Sequence, residues 1–438
     1  MNTPNLVKAL SGKGLPKVMA MLRNNPFNRS PISGINDKPL NERQLPEHYP
    51  GYRWAVLAIA LIAFSCYGTG MVCIGVVLPD LIRELKISGV LAGNLTAMYW
   101  LPGIIFTLVG GVVADRYGRK KVGTLSLSLI VIGAVVMIVS RSYVELAIAR
   151  LLMGIGAGLI PPSFTAILPE WFPQEQRGLI LGCPIAAYNA AAFLTFLGSS
   201  LVPLYGWRAY IGYVVVLPSL IGLILAALIL KERVKDKERE AEFRWKDVKI
   251  CIKNRNIIKG AVYWMMIVGL YSTMNTWYPT FFVDTIGWSL PYAALIVSMN
   301  AIAGIPFGPI GGRISDKLGS RKLVLWISAL ILAFTYMLPV SIRDFYLLIA
   351  DIILIGVFAT LPNGPIIALT VDLAGTALAG TAIGVIYFGA SIGSVWSPIL
   401  FGALKDITGT WNYSFYMLGI MGLIALIAVT LIKEKGSP

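Results

Sequence analysis

A single histidine, four cysteines and a charged fraction of only 13% are what this 438-residue chain has least of. His48 stands alone in a polar N-terminal stretch, so a Ser-His-Asp relay or a histidine-based metal centre has almost nothing to build on. Cys66, Cys73, Cys183 and Cys251 form no CxxC pair, and three of them sit inside apolar runs, which indicates neither a disulfide framework nor a zinc site. A membrane enzyme would offer His, Asp or Glu clustered at one membrane face, and the sequence has no such cluster. The expectation is a non-enzyme without metal or cofactor. Soluble domains are roughly a quarter charged; this chain is 56% apolar with a mean hydropathy of +0.73, a membrane composition. The net charge of +15 would suit nucleic acid, yet Lys and Arg fall in short segments between apolar runs and form no continuous basic stripe. Nucleic acid is therefore not an expected partner; the lipid bilayer is.

A hydrocarbon core of about 30 Å needs roughly 20 apolar residues as a helix. Twelve runs meet that length, near 54–78, 91–113, 122–140, 144–168, 178–201, 209–230, 258–282, 290–310, 322–340, 345–370, 376–398 and 411–432. Backbone groups in lipid must be satisfied within the segment, so all twelve are read as helices. The expected fold is all-α and integral to the membrane, with twelve transmembrane helices in two pseudo-symmetric six-helix bundles. Residues 54–230 form the first bundle and 258–432 the second. The charged linker 231–257 lies between them as an amphipathic or irregular cytoplasmic segment, and 433–438 form a short tail. Residues 1–53 read either as a mobile tail or, through "LVKALSGKGLPKVMAMLR", as a short surface helix, and they lack a cleavable-signal pattern. With both termini cytoplasmic, 30 of the 37 Lys and Arg flank the inner face, 6 the outer, and Arg150 remains within a run.

Two phrases stand out: "GGVVADRYGRKKV" from Gly110 and "GGRISDKLGSRKLV" from Gly311, with Asp115 and Asp316 201 residues apart. Each knot of charge closes an apolar run at the expected cytoplasmic face. The same shift lays Pro161 on Pro362 and Arg150 on Asp351. Parallel six-helix halves around a midplane site are a recurring transporter plan.

At these knots the chain resembles the major facilitator superfamily. Gly111, Asp115, Arg116, Gly118, Arg119, Lys120 and Lys121 match its loop pattern in the first half. Gly312, Asp316, Lys317, Gly319, Arg321 and Lys322 match in the second, where Ser320 replaces an arginine. "RLLMGIGAGLIPPSF" in run 4 is similar to the family's buried-Arg, glycine-spaced motif. The resemblance covers roughly 54–432 and implies alternating access, with the knots bridging the halves as a latch while the cytoplasmic side is closed. On physical grounds, Gly111 and Gly312 would admit a neighbouring helix, and the cations would hold the loops at the inner leaflet. A topology signal alone is the plainer alternative.

Two charges lie well inside the runs. Arg150, about 10 Å deep at 1.5 Å per residue, needs a partner or a wet cavity, since insertion costs ~2.5–3.5 kcal/mol for a central Arg. It is read either as a cavity cation for an anionic solute or as an Arg tied to neighbouring carbonyls. Asp351 is read as a proton carrier or as a partner of Arg150 across the halves, with a helix-end carboxylate as the plainer reading. The remaining candidate contacts for solute are polar or aromatic: Tyr67 and Thr69, Tyr188 and Asn189, Tyr271 and Asn275, Asn300, Asn363 and Tyr387. "PEWFPQEQRG" after run 4 resembles a phrase of organic-anion/cation symporters and of nitrate or oxalate transporters, with Trp171 as an interfacial anchor and Pro173 as a stop. Ala157 and a run 1 without a basic residue depart from the symporter branch. The Gly-Pro…Gly-Gly run of drug/proton antiporters is absent from run 5.

The expected protein is a monomeric secondary active transporter in the plasma membrane, moving a small organic solute, preferably an organic anion, with protons as the candidate coupling ion. An uncoupled facilitator, an efflux carrier of the same fold and a non-transporting solute sensor are the alternatives.

Overall fold

The computed structural model describes residues 51–173, 176–231, 245–342, 344–375 and 378–433. The expectations for the N-terminal region through residue 50, for linker residues 232–244 and for the tail from 434 lie outside them. The first half begins with α1 (Arg53–Leu85), α2 (Gly89–Tyr117), α3 (Arg119–Val139), α4 (Tyr143–Trp171) and α5 (Arg177–Leu197). A 3-10 turn at Gly198–Ser200 leads into α6 (Leu201–Ile211), and a π-turn at Gly212–Val216 into α7 (Leu217–Leu228). Among the described residues eleven stretches are long and apolar enough to cross a membrane, and one of them, Ile180–Leu228, has 49 residues. That is about 73 Å of helix at 1.5 Å per residue, twice the bilayer core. The stretch doubles back at Gly206, whose φ of 80° and ψ of 162° break the helix. The return packs on the outgoing arm: Tyr210 donates to the Thr195 carbonyl at 2.9 Å. The passes therefore number twelve.

After the short α8 (Trp245–Lys253), the second half contains α9 (Arg255–Phe281), α10 (Leu290–Gly304), α11 (Phe307–Leu318), α12 (Arg321–Thr335), α13 (Phe345–Thr360), α14 (Asn363–Ala374), α15 (Ala379–Thr408) and α16 (Asn412–Thr430). Two passes expected to be continuous are broken. Pro306 separates α10 from α11, and Pro362 separates α13 from α14, because proline removes a ladder donor and crowds the preceding turn. Pro161, the repeat mate of Pro362, stays inside an unbroken α4.

Side-chain caps start many of these helices. Ser88, Ser142, Asn254, Ser320 and Asp344 each accept a first-turn N–H, as short polar side chains do for the orphan donors of a helix start. The halves meet along three pairs, α2 with α15, α1 with α9 and α5 with α10.

The knots are helix ends rather than loops, which corrects the expectation. Asp115 and Arg116 lie in the last turn of α2, Asp316 and Lys317 in that of α11. Gly118 (φ 94°, ψ 130°) and Gly319 (φ 63°, ψ 10°) end the two helices. Gly319 is left-handed, a conformation asparagine tolerates, whereas Gly118 lies where only glycine is at ease. Gly319→Asn should therefore unfold near the wild-type temperature in detergent, while Gly118→Asn should lose about 1–3 kcal/mol. Equal losses in a thermal scan would show that backbone conformation is not what these glycines supply.

Candidate functional site

Arg150 stands two turns into α4 and is 0% exposed. Its Nε donates to the Leu95 carbonyl of α2 at 3.0 Å and its Nη1 to the Gly70 carbonyl of α1 at 2.6 Å. The guanidinium lies 4.6 Å from the centroid of the Tyr99 ring. One side chain thus ties three helices together, the arrangement expected for an Arg bound to carbonyls. Fully buried on these contacts, it presents no surface to a solute in this conformation, where direct solute contact was expected. Its charge has no carboxylate partner among the described residues, and Nη2 has no hydrogen-bond partner.

Asp351 is 3% exposed in α13, and neither carboxyl oxygen has a hydrogen-bond partner. It lies within electrostatic reach of Tyr278 and Tyr336. The expected Asp351–Arg150 pair is not formed: Arg150 turns its Nε and Nη1 to carbonyls within its own half, and both Asp351 oxygens stay without a partner.

Four tyrosines converge where the halves face each other. Tyr67 and Tyr188 have ring centroids 5.0 Å apart, and Trp100 lies 6.4 Å from Tyr67. From the second half, Tyr387 approaches Tyr67 and Tyr271 approaches Tyr188 closely enough to interact electrostatically. The Tyr99 hydroxyl donates to the Tyr67 carbonyl at 2.7 Å, so Tyr99 and then Arg150 are stacked in sequence behind Tyr67 of the cluster. Tyr271 leaves its hydroxyl unpartnered. Trp100 and Tyr99 were not singled out from the sequence, since an aromatic inside an apolar run carries no signal of its own.

The asparagines divide. Asn189 and Asn363 are half-buried, Asn363 opening α14 after the Pro362 break. Asn275 is 1% exposed and gives its amide to the Tyr271 carbonyl at 2.8 Å, where a Cβ on Gly75 of α1 would collide with the Asn275 backbone. Asn300 is buried inside the second half, bonded to the Val297 carbonyl and abutting Gly356 of α13. These two are corrected from solute contacts to helix-packing residues.

The end of the bundle away from the knots is sealed. Asp406, near the end of α15, accepts from the Gly89 N–H at 2.9 Å and the Val90 N–H at 3.0 Å. The second half thereby caps the start of α2, whose next N–H, that of Leu91, goes to Ser88. A Cβ on Gly89 or Gly93 would collide with the Gly402 or Pro398 carbonyl, and one on Gly402 with the Gly89 carbonyl. Thr96 and Thr276 meet across the halves at 3.0 Å. None of these residues was legible as a gate from the sequence. The only available signal was an Asp between the last two runs and two glycines near the start of another.

At the knots, the described ion pairs stay within their own half. Arg119 binds Asp115 at 2.8 Å and Glu170 at the end of α4 at 2.5 Å. Arg321 binds Asp372 at the end of α14 at 2.7 Å and approaches Asp316 at 3.6 Å. Ser320, which replaces the arginine, caps α12 and leaves the bridging to its neighbour. Arg116 lies against the Tyr117 ring, while the Lys120 carbonyl accepts from Thr124. The close approaches fall one residue earlier than expected: a Cβ would strike Pro162 at Gly110 and the Leu361 carbonyl at Gly311, yet meet nothing at Gly111 or Gly312. Trp171 is not an interfacial anchor. It is largely buried against Tyr52, 5.0 Å between centroids, while Phe172 meets Trp54 at 5.6 Å.

Two six-pass halves sealed at one end, with charged knots at the other, define a membrane carrier. The sequence pattern of the Major Facilitator Superfamily matches residues 60–398 and, in a second match, 283–438, and the chain belongs to that family. It is 26% identical over 379 residues to the hexuronate transporter of Bacillus subtilis, covering 80% of this chain and 87% of that one. The 4-hydroxybenzoate transporter PcaK of Acinetobacter baylyi is 24% identical over 440 residues, covering 91% and 92%. The probable nitrate/nitrite antiporter NarK1 of Thermus thermophilus is 26% identical over 307 residues, covering 68% of each. The crystal structure of a D-xylose-proton symporter superposes with a TM-score of 0.73 at 18% identity, covering 88% of this chain and 99% of that one, a likeness of fold. The chain is a multi-pass membrane transporter of small molecules.

Hydrogen bonds to a charged group contribute about 1.5–3 kcal/mol each, so losing both in Asp406→Ala should raise the accessibility of the far end about 100- to 10,000-fold. The rate at which an impermeant maleimide labels a cysteine placed at Asn275 reads this, and an unchanged rate would count against the seal. Asp115 is 23% exposed and tightly paired, whereas Asp316 is 69% exposed. Asp115→Asn should therefore slow transport more than Asp316→Asn, and equal rates would contradict that ranking.

Proposed function

We propose that this chain is a proton-coupled symporter of a small organic anion, with both termini cytoplasmic and the knots at the cytoplasmic face. The observation that carries the reading is a pair of solitary buried charges at repeat-related positions, Arg150 in the first half and Asp351 in the second. The tyrosine box lies at the junction of the halves. A guanidinium without a carboxylate favours an anion nearby, even when its own contacts are to backbone. Among the described residues, Asp351 is the one carboxyl placed deep enough to take up and release a proton as the halves rock. Carboxylates are also the solutes named for the hexuronate, benzoate and 4-hydroxybenzoate transporters, and an aromatic box suits a ring-bearing acid.

The sealed far end supports assigning this conformation to the state open toward the knots. In that state the Gly111 and Gly312 faces are uncovered. The latch reading is that α2 and α11 close over the opposite half through those faces when the far end opens. Arg119 and Arg321 then keep each knot aspartate fixed for the encounter.

Reconstituted vesicles test the reading with labelled 4-hydroxybenzoate and glucuronate. An acid-outside gradient should drive accumulation in the wild type. Asp351→Asn should lose accumulation while keeping exchange of labelled for unlabelled solute. Gradient-independent uptake would make the protein an uncoupled facilitator, and binding without flux would make it a sensor. Intact gradient-driven uptake in Asp351→Asn would remove Asp351 from coupling.

A further inference from the structure

A groove of about 490 Å³ runs down the outside of the first half, lined by Ile138 of α3 and by Arg208, Ala209, Gly212, Tyr213, Val216, Leu217 and Leu220. It does not open toward the tyrosine box. Tyr213, Leu217 and Leu220 are exposed at membrane depth on a pass that packs its other face on α3, so they face lipid. The π-turn Gly212–Val216 lies along its middle. Such turns insert an extra residue into a helix and often mark functional sites. From Arg208 to Leu220 is twelve residues, about 18 Å at 1.5 Å per residue. One leaflet's hydrocarbon is about 15 Å deep, so the groove is one acyl chain long.

Its outer end is polar, and donor counting shows what it still offers. Arg208 donates from Nε to the Ile138 carbonyl at 3.2 Å, and from Nη2 to Glu84 at 2.8 Å and the Ser140 carbonyl at 3.0 Å. Nη1 gives one hydrogen to Glu84 at 3.2 Å. A guanidinium has five N–H groups, so one on Nη1 is left over. Glu84 accepts three bonds, two from Arg208 and one from the Trp207 indole at 2.7 Å, which leaves an acceptor position free on Oε1. Both side chains are about 40% exposed. A spare cationic donor and a spare anionic acceptor therefore lie side by side above a one-leaflet apolar groove.

We propose that this groove binds one zwitterionic aminophospholipid of the far leaflet. The lipid phosphate accepts from the free Nη1–H of Arg208, its primary ammonium donates to Glu84 Oε1, and one acyl chain lies along the π-turn. Because Arg208 joins α3 to the α1 and α6 ends through Glu84 and two carbonyls, a bound headgroup reinforces the junction of three passes. An anionic headgroup without an amine would bring a second negative charge to Glu84 with no cation to offset it, and a quaternary choline could not donate to it. Headgroup selectivity is thus part of the proposal, and it is independent of the solute carried.

Native mass spectrometry of the delipidated full chain, titrated with phosphatidylethanolamine, phosphatidylcholine or phosphatidylglycerol of matched chains, tests it. One phosphatidylethanolamine should bind the wild type about tenfold more tightly than either other lipid. Val216→Trp fills the groove and should abolish that first adduct. Leu220→Trp fills it from the exposed rim, where folding is not at stake, and should do the same. Glu84→Gln should bind phosphatidylethanolamine and phosphatidylcholine equally. Undiminished binding in both tryptophan variants, or no headgroup preference in the wild type, would overturn the proposal.

Discussion

Backbone can lie on backbone between the two halves only where side chains are missing, and this constraint organises the whole bundle. Gly89, Gly93 and Gly402 bring α2 and α15 to main-chain contact at the far end. There the aspartate of one half finishes the helix start of the other. Farther along, Gly103 still approaches Ser391 of α15, whereas a Cβ on Gly111 meets nothing. The helices thus diverge over roughly two turns, between midplane and knots. Packed bundles do not bend continuously, so closing the divergent end requires releasing the sealed one. The geometry that seals one face is what spreads α2 from α15 at the other.

The two knots show how a repeat keeps a function while changing its letters. Arg119 reaches both Asp115 and the end of α4. In the second half Ser320 occupies that place, yet Arg321 reaches Asp316 and the end of α14 from one residue further on. The shift is possible because Gly319 turns left-handed and Ser320 restarts the chain as a cap, whereas α3 begins with Arg119 itself directly after Gly118. What persists is an arginine tied to an acidic residue at the end of the fourth pass of each half. The register of the motif is free to drift.

The twelve passes were legible because lipid imposes one rule on every segment, and apolar length alone reports it. The knots were legible as charge after an apolar run, though not as helix ends, because the turn depends on the φ of single glycines. Pro306 and Pro362 break their passes while Pro161 and Pro162 do not, and proline count carries no information about which. The least legible feature was Asp406. Its partners are backbone N–H groups 316 and 317 residues away, and backbone groups are identical at every position. Asn275 and Asn300 misled for the opposite reason: amide side chains inside a pass look like solute ligands, yet both are buried at helix contacts, each with its Nδ2 donating to a carbonyl three or four residues back.

Arg150 joins the fold to the proposed selectivity in a way that neither role alone would require. Carbonyls on α1 and α2 could be held by neutral donors, but a neutral donor would bring no field. The guanidinium satisfies both carbonyls through its fork and keeps its charge, since carbonyls do not neutralise it. Directly over it lies the Tyr99 ring, followed by Tyr67 and the box. In the proposed function the charge therefore acts through two packed rings, where burial keeps off the water that would screen a cation on the wall. A cation on the surface could grip an anion and hold it. In the proposed reading, one set behind aromatic rings biases the pathway toward anions while forming no bond that must break at release, which is what a carrier needs from a site that it fills and empties in every cycle.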